Sequence, residues 1–190
     1  MSYIPLPPSI ANTEAVINVK NSDQQCFAYA IMSKELHERG IRDPQRVSRY
    51  TDEIWSHYNF DGVRFPTPFR DIPTFERNNN ASVNLYGLEK GTRGFLYVYP
   101  IRVSDNVRET NHFDLLYLQE EDENGGESEG HYCDITDLAR LVRAQITTNH
   151  NMVICRRCLR YFGRQELLDT HKRLCELQDP VRCRMPRADR

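Results

Sequence analysis

The sequence predicts an α+β domain followed by one small ββα finger, and three observations carry the prediction. Helix signals gather before residue 60, runs of β-branched and aromatic residues gather between 82 and 133, and the chain then carries Cys155, Cys158, His171 and Cys175 in the spacing C-x2-C-x12-H-x3-C. The order is helices, a mostly antiparallel sheet, a helix and the finger.

Among the helices, Cys26 opens a segment running to Arg39 that is apolar in its first two turns, charged in its last and stopped by Gly40. Asn21, Ser22 and Asp23 stand ready to cap it. A second helix is predicted over Gln45 to Tyr58, with Pro44 at its start. Ser82 to Tyr86 and Gly94 to Pro100 read as neighbouring strands, His112 to Leu118 as a third, and His131 to Cys133 as the start of a fourth. Between the last two, Glu120 to Gly130 is acidic, Gly-rich and without apolar residues, a surface loop by composition. Asp134 or Thr136 can cap a further helix in which Leu138, Leu141 and Val142 share one face, and Thr147 to Asn151 links it to the finger. The expected units are 1–148 for the main domain, 149–178 for the finger and 179–190 for a basic, disordered tail.

The four-residue spacing is that of a tetrahedral zinc site with a Cys in place of the commoner last His. Phe162 and Leu168 fall where such a finger places its two core residues. A module of about 25 residues cannot bury enough surface to fold alone, so one Zn2+ ion must supply the missing free energy. Four protein ligands leave no open position, so the zinc is read as structural, with thiolates at Cys155, Cys158 and Cys175 and a neutral imidazole at His171.

The chain has 190 residues, 39% hydrophobic and 10% aromatic, which is enough for a real core, and a net charge of −2. From Asn151 to Arg190 there are ten Arg and Lys against five Asp and Glu, a net of +5, so the first 150 residues carry −7. Arg156, Arg157, Arg160, Arg164, Lys172 and Arg173 give the finger a face suited to a polyanion or a protein partner, while the main body would repel nucleic acid. One finger covers about three base pairs, which argues against sequence-specific DNA reading by it alone. Met1 to Ser9 is no secretory signal and no apolar run has membrane-spanning length; the expectation is an intracellular protein, nuclear or cytoplasmic, with no membrane partner. Six Cys in such a chain point to thiol or metal chemistry before disulfides, and zinc leaves Cys26, Cys133 and Cys183.

Cys26 in the first turn of a buried helix would feel the positive end of the helix dipole and nearby N–H groups. An imidazole must then face it. His112 opens the most apolar strand, and Asp114, two residues on, shares its face. The bland reading is a core thiol and a hydrogen-bonded structural histidine; His131 beside Cys133 is the second candidate pair, and His37 and His57 are further imidazoles.

At these residues a resemblance appears. Asp23 to Ala30 (DQQCFAYA) resembles the nucleophile motif of ovarian-tumour (OTU) type deubiquitinating cysteine proteases, and His112-Phe-Asp114 resembles their H-x-[DN] element. The resemblance implies a papain-like fold, a Cys26–His112–Asp114 triad, an oxyanion loop at Asp23, Gln24 and Gln25, and ubiquitin or a ubiquitin-like protein as partner. Gln24 stands where that family usually has Gly. A longer similarity, through Ile17 to Phe27, Asp71 to Glu76, His112 to Leu118, His131 to Leu141 and the finger, is to the N-terminal region of Polinton/Maverick-type transposon and virus-like DNA polymerase proteins. The chain ends fifteen residues after Cys175, so polymerisation is not expected of it. The alternative to a peptidase is a catalytically inactive nucleic-acid- or protein-docking module of a mobile element.

Overall fold

The structure is a computed structural model and describes residues 3–91, 94–119, 130–147 and 151–177. The elements in order are α1 (Pro8–Ala11), β1 (Val16–Ile17), α2 (Cys26–Glu38), α3 (Asp52–Ser56), α4 (Ile72–Asn79), β2 (Ser82–Lys90), β3 (Leu96–Arg102), β4 (His112–Leu118), β5 (His131–Ile135), α5 (Leu138–Ile146), β6 (Val153–Ile154), β7 (Tyr161–Phe162) and α6 (Gln165–Cys175), with short 3-10 turns at Val47–Arg49 and Phe69–Asp71. The class is mixed α+β. The main sheet has five strands in the order β1-β5-β4-β2-β3, antiparallel throughout except for the parallel β2–β4 pair; β6 and β7 form a separate hairpin.

Side chains alternate across a strand, and on β4 and β5 this sorts the core into two faces. Phe113, Leu115 and Tyr132 pack with Cys26, Phe27, Ala30 and Ile31 of α2. Leu116, Leu118, Cys133 and Ile135 pack on the other face with Leu138, Leu141 and Val142 of α5. Met152 and Ile154, leading into the C-terminal module, lie in that second cluster. The ββα module is thus seated on the sheet.

The predicted second helix is a correction: only the turn at Val47–Arg49 and the five-residue α3 form. Thr51 between them is extended (ψ 164°), and the Tyr50 hydroxyl turns back to donate to the Pro44 carbonyl (2.6 Å), while the Tyr50 and Trp55 rings pack edge-on against Tyr29. Aromatic packing overrides local helix preference there. Composition did not reveal β1 or α4; α4 starts with Pro in its first turn and ends on Asn80 in the left-handed region (φ 47°). The cap of α5 is Asp137, whose carboxylate accepts from the Arg140 N–H (2.8 Å), in place of the expected Asp134 or Thr136. Asp134 is instead the fourth residue of β5. On the outer strand β3, the Gln145 amide of α5 accepts from the Val98 N–H (2.9 Å) and donates to the Val98 carbonyl (2.8 Å). The acidic segment at 120–129 and the tail 179–190 with Cys183 lie outside the described residues.

Candidate functional site: an imidazole–carboxylate pair and a Cys3His cluster

His112 and Asp114 share one side of β4, as alternation requires, and meet: His112 Nε2 lies 3.0 Å from Asp114 Oδ1. His112 Nδ1 is 2.7 Å from the Ser82 hydroxyl across the parallel β2 register. Both ring nitrogens are therefore in hydrogen bonds inside the protein. Asp114 Oδ1 also accepts from the Tyr86 hydroxyl (3.3 Å), and its Oδ2 accepts from Arg156 Nε (2.7 Å). Burial pushes the Asp114 carboxyl up, but the His112 hydrogen bond and the Arg156 charge outweigh it and hold the pKa below the ordinary value. Asn84 on β2 donates to the Arg156 carbonyl (2.8 Å), and Lys172 of α6 meets Glu109 in the segment before β4. This polar network fastens the C-terminal module to the sheet.

Cys26 lies elsewhere. It is buried at the start of α2, on the sheet face lined by Phe113, Leu115 and Tyr132, opposite the face that carries the His112 and Asp114 side chains. Its sulfur sits by the Tyr132 backbone, and Tyr132 pairs with Tyr117, five residues beyond His112, or about 16 Å of strand. The helix agrees: Lys34 Nζ donates to the His112 carbonyl (2.6 Å), and Lys34 is eight residues after Cys26, about 12 Å along the axis. The triad expected from the resemblance is thus not assembled; the imidazole and its acid are together and the thiol is not with them. Burial raises the Cys26 pKa, and backbone hydrogen bonds from Tyr132 and Phe27 offset that only in part. This is the environment of an inert core thiol.

The expected oxyanion loop is closed on itself. Asp23 accepts from the Gln25 N–H (3.0 Å), the Asn21 amide (2.9 Å) and the Tyr29 hydroxyl (3.0 Å), and Gln24 points to solvent. The second candidate pair fares no better as a nucleophile: Cys133 is fully buried, which drives its pKa well up, and His131 Nε2 lies 2.8 Å from Asn18 Oδ1 with Tyr3 edge-on to the ring. His57 Nδ1 contacts Glu35 at 3.0 Å.

The module does bring its four candidate ligands together. One atom from each of Cys155, Cys158, His171 and Cys175 lies within 4.8 Å of the others, and Cys158 Sγ is 3.1 Å from His171 Nε2. Tetrahedral sulfur ligands about 2.3 Å from a metal stand under 4 Å apart, so the cluster fits a single ion. The Cys175 thiol is pushed up to about 12 by burial and by the neighbouring Cys155 and Cys158 sulfurs, a crowding that a dication would relieve. Phe162 packs on the His171 ring (4.8 Å) and Leu168 is buried, so the two expected core residues fill their places.

Of the six basic residues singled out, Arg156 and Lys172 are engaged with Asp114 and Glu109. Arg160, Arg164 and Arg173 are exposed, Arg160 lying over the Phe162 ring (5.6 Å), and Arg157 is half-buried. Sequence reasoning missed Asp134, which lies 2% exposed between the sheet and α2 with a carboxyl pKa raised to about 8 by burial; Ser33 and Lys34 pull it down only in part. The signal was there in His131-Tyr-Cys-Asp-Ile135, where a charged residue interrupts a strand whose other members are buried. Among the described residues no helix is long and apolar enough to cross a membrane. No family model, curated protein or solved structure matches this chain.

Proposed function

We propose that the chain is a docking module that holds one structural zinc ion in its C-terminal finger and offers the finger's arginines to a polyanion, of which nucleic acid is the expected example. The observation that carries this reading is the division of labour among the finger's cations. Arg156 and Lys172 tie the finger to the sheet, leaving Arg160, Arg164 and Arg173 exposed on a platform whose orientation is fixed. With the backbone that carries them already in place, these guanidinium groups lose mainly their own side-chain freedom on meeting phosphates. The zinc is structural because all four ligands come from the protein and the site closes the hairpin onto α6. A ubiquitin-directed thiol peptidase is the less favoured reading, since it needs an imidazole beside Cys26 and His112 faces away from it.

The test is binding of a fluorescent oligonucleotide to the zinc-loaded protein as a function of salt. Affinity is expected to fall steeply as salt rises, and replacing Arg160, Arg164 and Arg173 by Gln is expected to flatten the log–log slope by about one unit per lost phosphate contact. No binding at low salt, or a slope that the triple replacement leaves unchanged, refutes the proposal.

A further inference from the structure

The finger helix carries a second surface that zinc binding and the attachment to the sheet leave untouched. Leu168, Lys172 and Cys175 take the inner side of α6: Leu168 is buried, Lys172 reaches Glu109 and Cys175 joins the metal cluster. Leu167 and Leu174 are seven residues apart and so lie one above the other, two turns along. They are 54% and 63% exposed, and Leu177, three residues further in the turn after the helix, is 82% exposed. The run Leu167, Thr170, Leu174, Leu177 has the alternating three and four spacing of a coiled-coil seam. Its middle position is a small residue whose hydroxyl donates to the Glu166 carbonyl (2.9 Å), so it presents no unmet polar group to a partner.

We infer that this seam pairs with the same seam of a second copy of the chain, antiparallel, about a two-fold axis near Thr170. Charge selects the partner and the direction. Asp169 is held by Gln165 (2.8 Å) and Lys172 by Glu109, which leaves exposed Glu166 and Arg173 flanking the leucines on one side. In an antiparallel pair each Leu167 meets the other copy's Leu174, and each Glu166 comes opposite the other copy's Arg173. In a parallel pair that flank would face the opposite flank of the partner helix, and Glu166 and Arg173 would not meet. A two-fold contact is self-complementary, and an acidic first turn with a basic last turn on one seam meets that condition. So small a contact gives weak, concentration-dependent association. The inference goes beyond the polyanion reading and does not rest on it, since association is measured without polyanion and the leucine replacements leave Arg160, Arg164 and Arg173 in place.

The experiment is sedimentation equilibrium on the zinc-loaded full chain from low-micromolar to submillimolar concentration. A monomer–dimer equilibrium is expected. Leu167→Ala with Leu174→Ala is expected to abolish it at unchanged zinc content and melting temperature, which certifies the fold. Glu166→Arg alone is expected to weaken the dimer on the order of tenfold, and Glu166→Arg with Arg173→Glu to restore it, since the pair is re-formed with its signs exchanged. A protein that stays monomeric over the whole range overturns the inference. So does a dimer that the leucine replacements leave intact or that the charge exchange fails to restore.

Discussion

Replacing Asp134 by Asn isolates one buried carboxyl at almost constant shape. Asp134 lies between β5 and α2, faced by Ser33 and Lys34, with the Tyr50 ring and the charges of Glu38 and Asp114 nearby. Its pKa is raised from 3.8 to about 8 in the folded protein. A group whose folded pKa lies above its unfolded value gives its full stabilisation below the unfolded pKa and loses it as pH rises to the folded one. Here the loss runs from about pH 4 to pH 8. Each unit of that window is worth about 1.4 kcal/mol, and allowing for partial ionisation near the top, the wild type should lose about 2 kcal/mol relative to Asp134→Asn between pH 6 and pH 8. Urea unfolding of both proteins at the two pH values, with zinc present throughout, measures the difference, and the titration of every histidine common to both cancels. A stability difference that does not change with pH would refute the argument, because it means that the carboxyl is as ionised in the fold as in the unfolded chain throughout the window.

Three further outcomes follow from the same contacts. Arg156→Ala leaves the Asp114 carboxylate buried without its cation; the guanidinium is partly solvent-screened, so the expected cost is about 2 kcal/mol, and Asp114→Asn in the same chain should recover part of it in a double-mutant cycle by thermal melting. The purified chain should contain about one equivalent of zinc, and Cys158→Ser should lower both the metal content and the melting temperature of the main domain, because Met152 and Ile154 belong to the sheet's core; a main-domain transition unmoved by loss of the metal would show the two to be independent. Cys26 should react with a ubiquitin-based electrophile, and with a simple disulfide reagent, no faster than other buried thiols, and rapid selective labelling of Cys26 would revive the peptidase reading.

Much of the fold was legible because periodicity is a local signal. The bounds of β4 and the helix opened by Cys26 follow from where apolar residues recur and where Gly40 stops them. The Cys3His cluster was legible for a related reason: its four residues lie within 21 positions, and their spacing already encodes a hairpin and a helix. The putting together of Cys26 with His112 failed because it depended on which side of β4 faces α2. Alternation placed His112 and Asp114 together, but only the packed sheet reveals that Phe113 and Leu115 take the helix side. The break at Tyr50 and Thr51 was hidden for the same reason, since the Tyr29, Tyr50 and Trp55 rings that enforce it come from segments separated in sequence.

Gln145 has a consequence for how the molecule behaves in a crowded solution. An outer strand such as β3 exposes every second amide and carbonyl, and Tyr97 and Tyr99 beside them are partly exposed, so the strand could template another chain's backbone. The side-chain amide of Gln145 occupies both outward groups of Val98, at the middle of the strand, much as a neighbouring strand would, and Pro100 two residues on has no N–H to offer. The run left open on either side is too short to start an intermolecular ladder. Growth by strand addition at this edge is thereby stopped by one side chain from a helix that is itself anchored in the core.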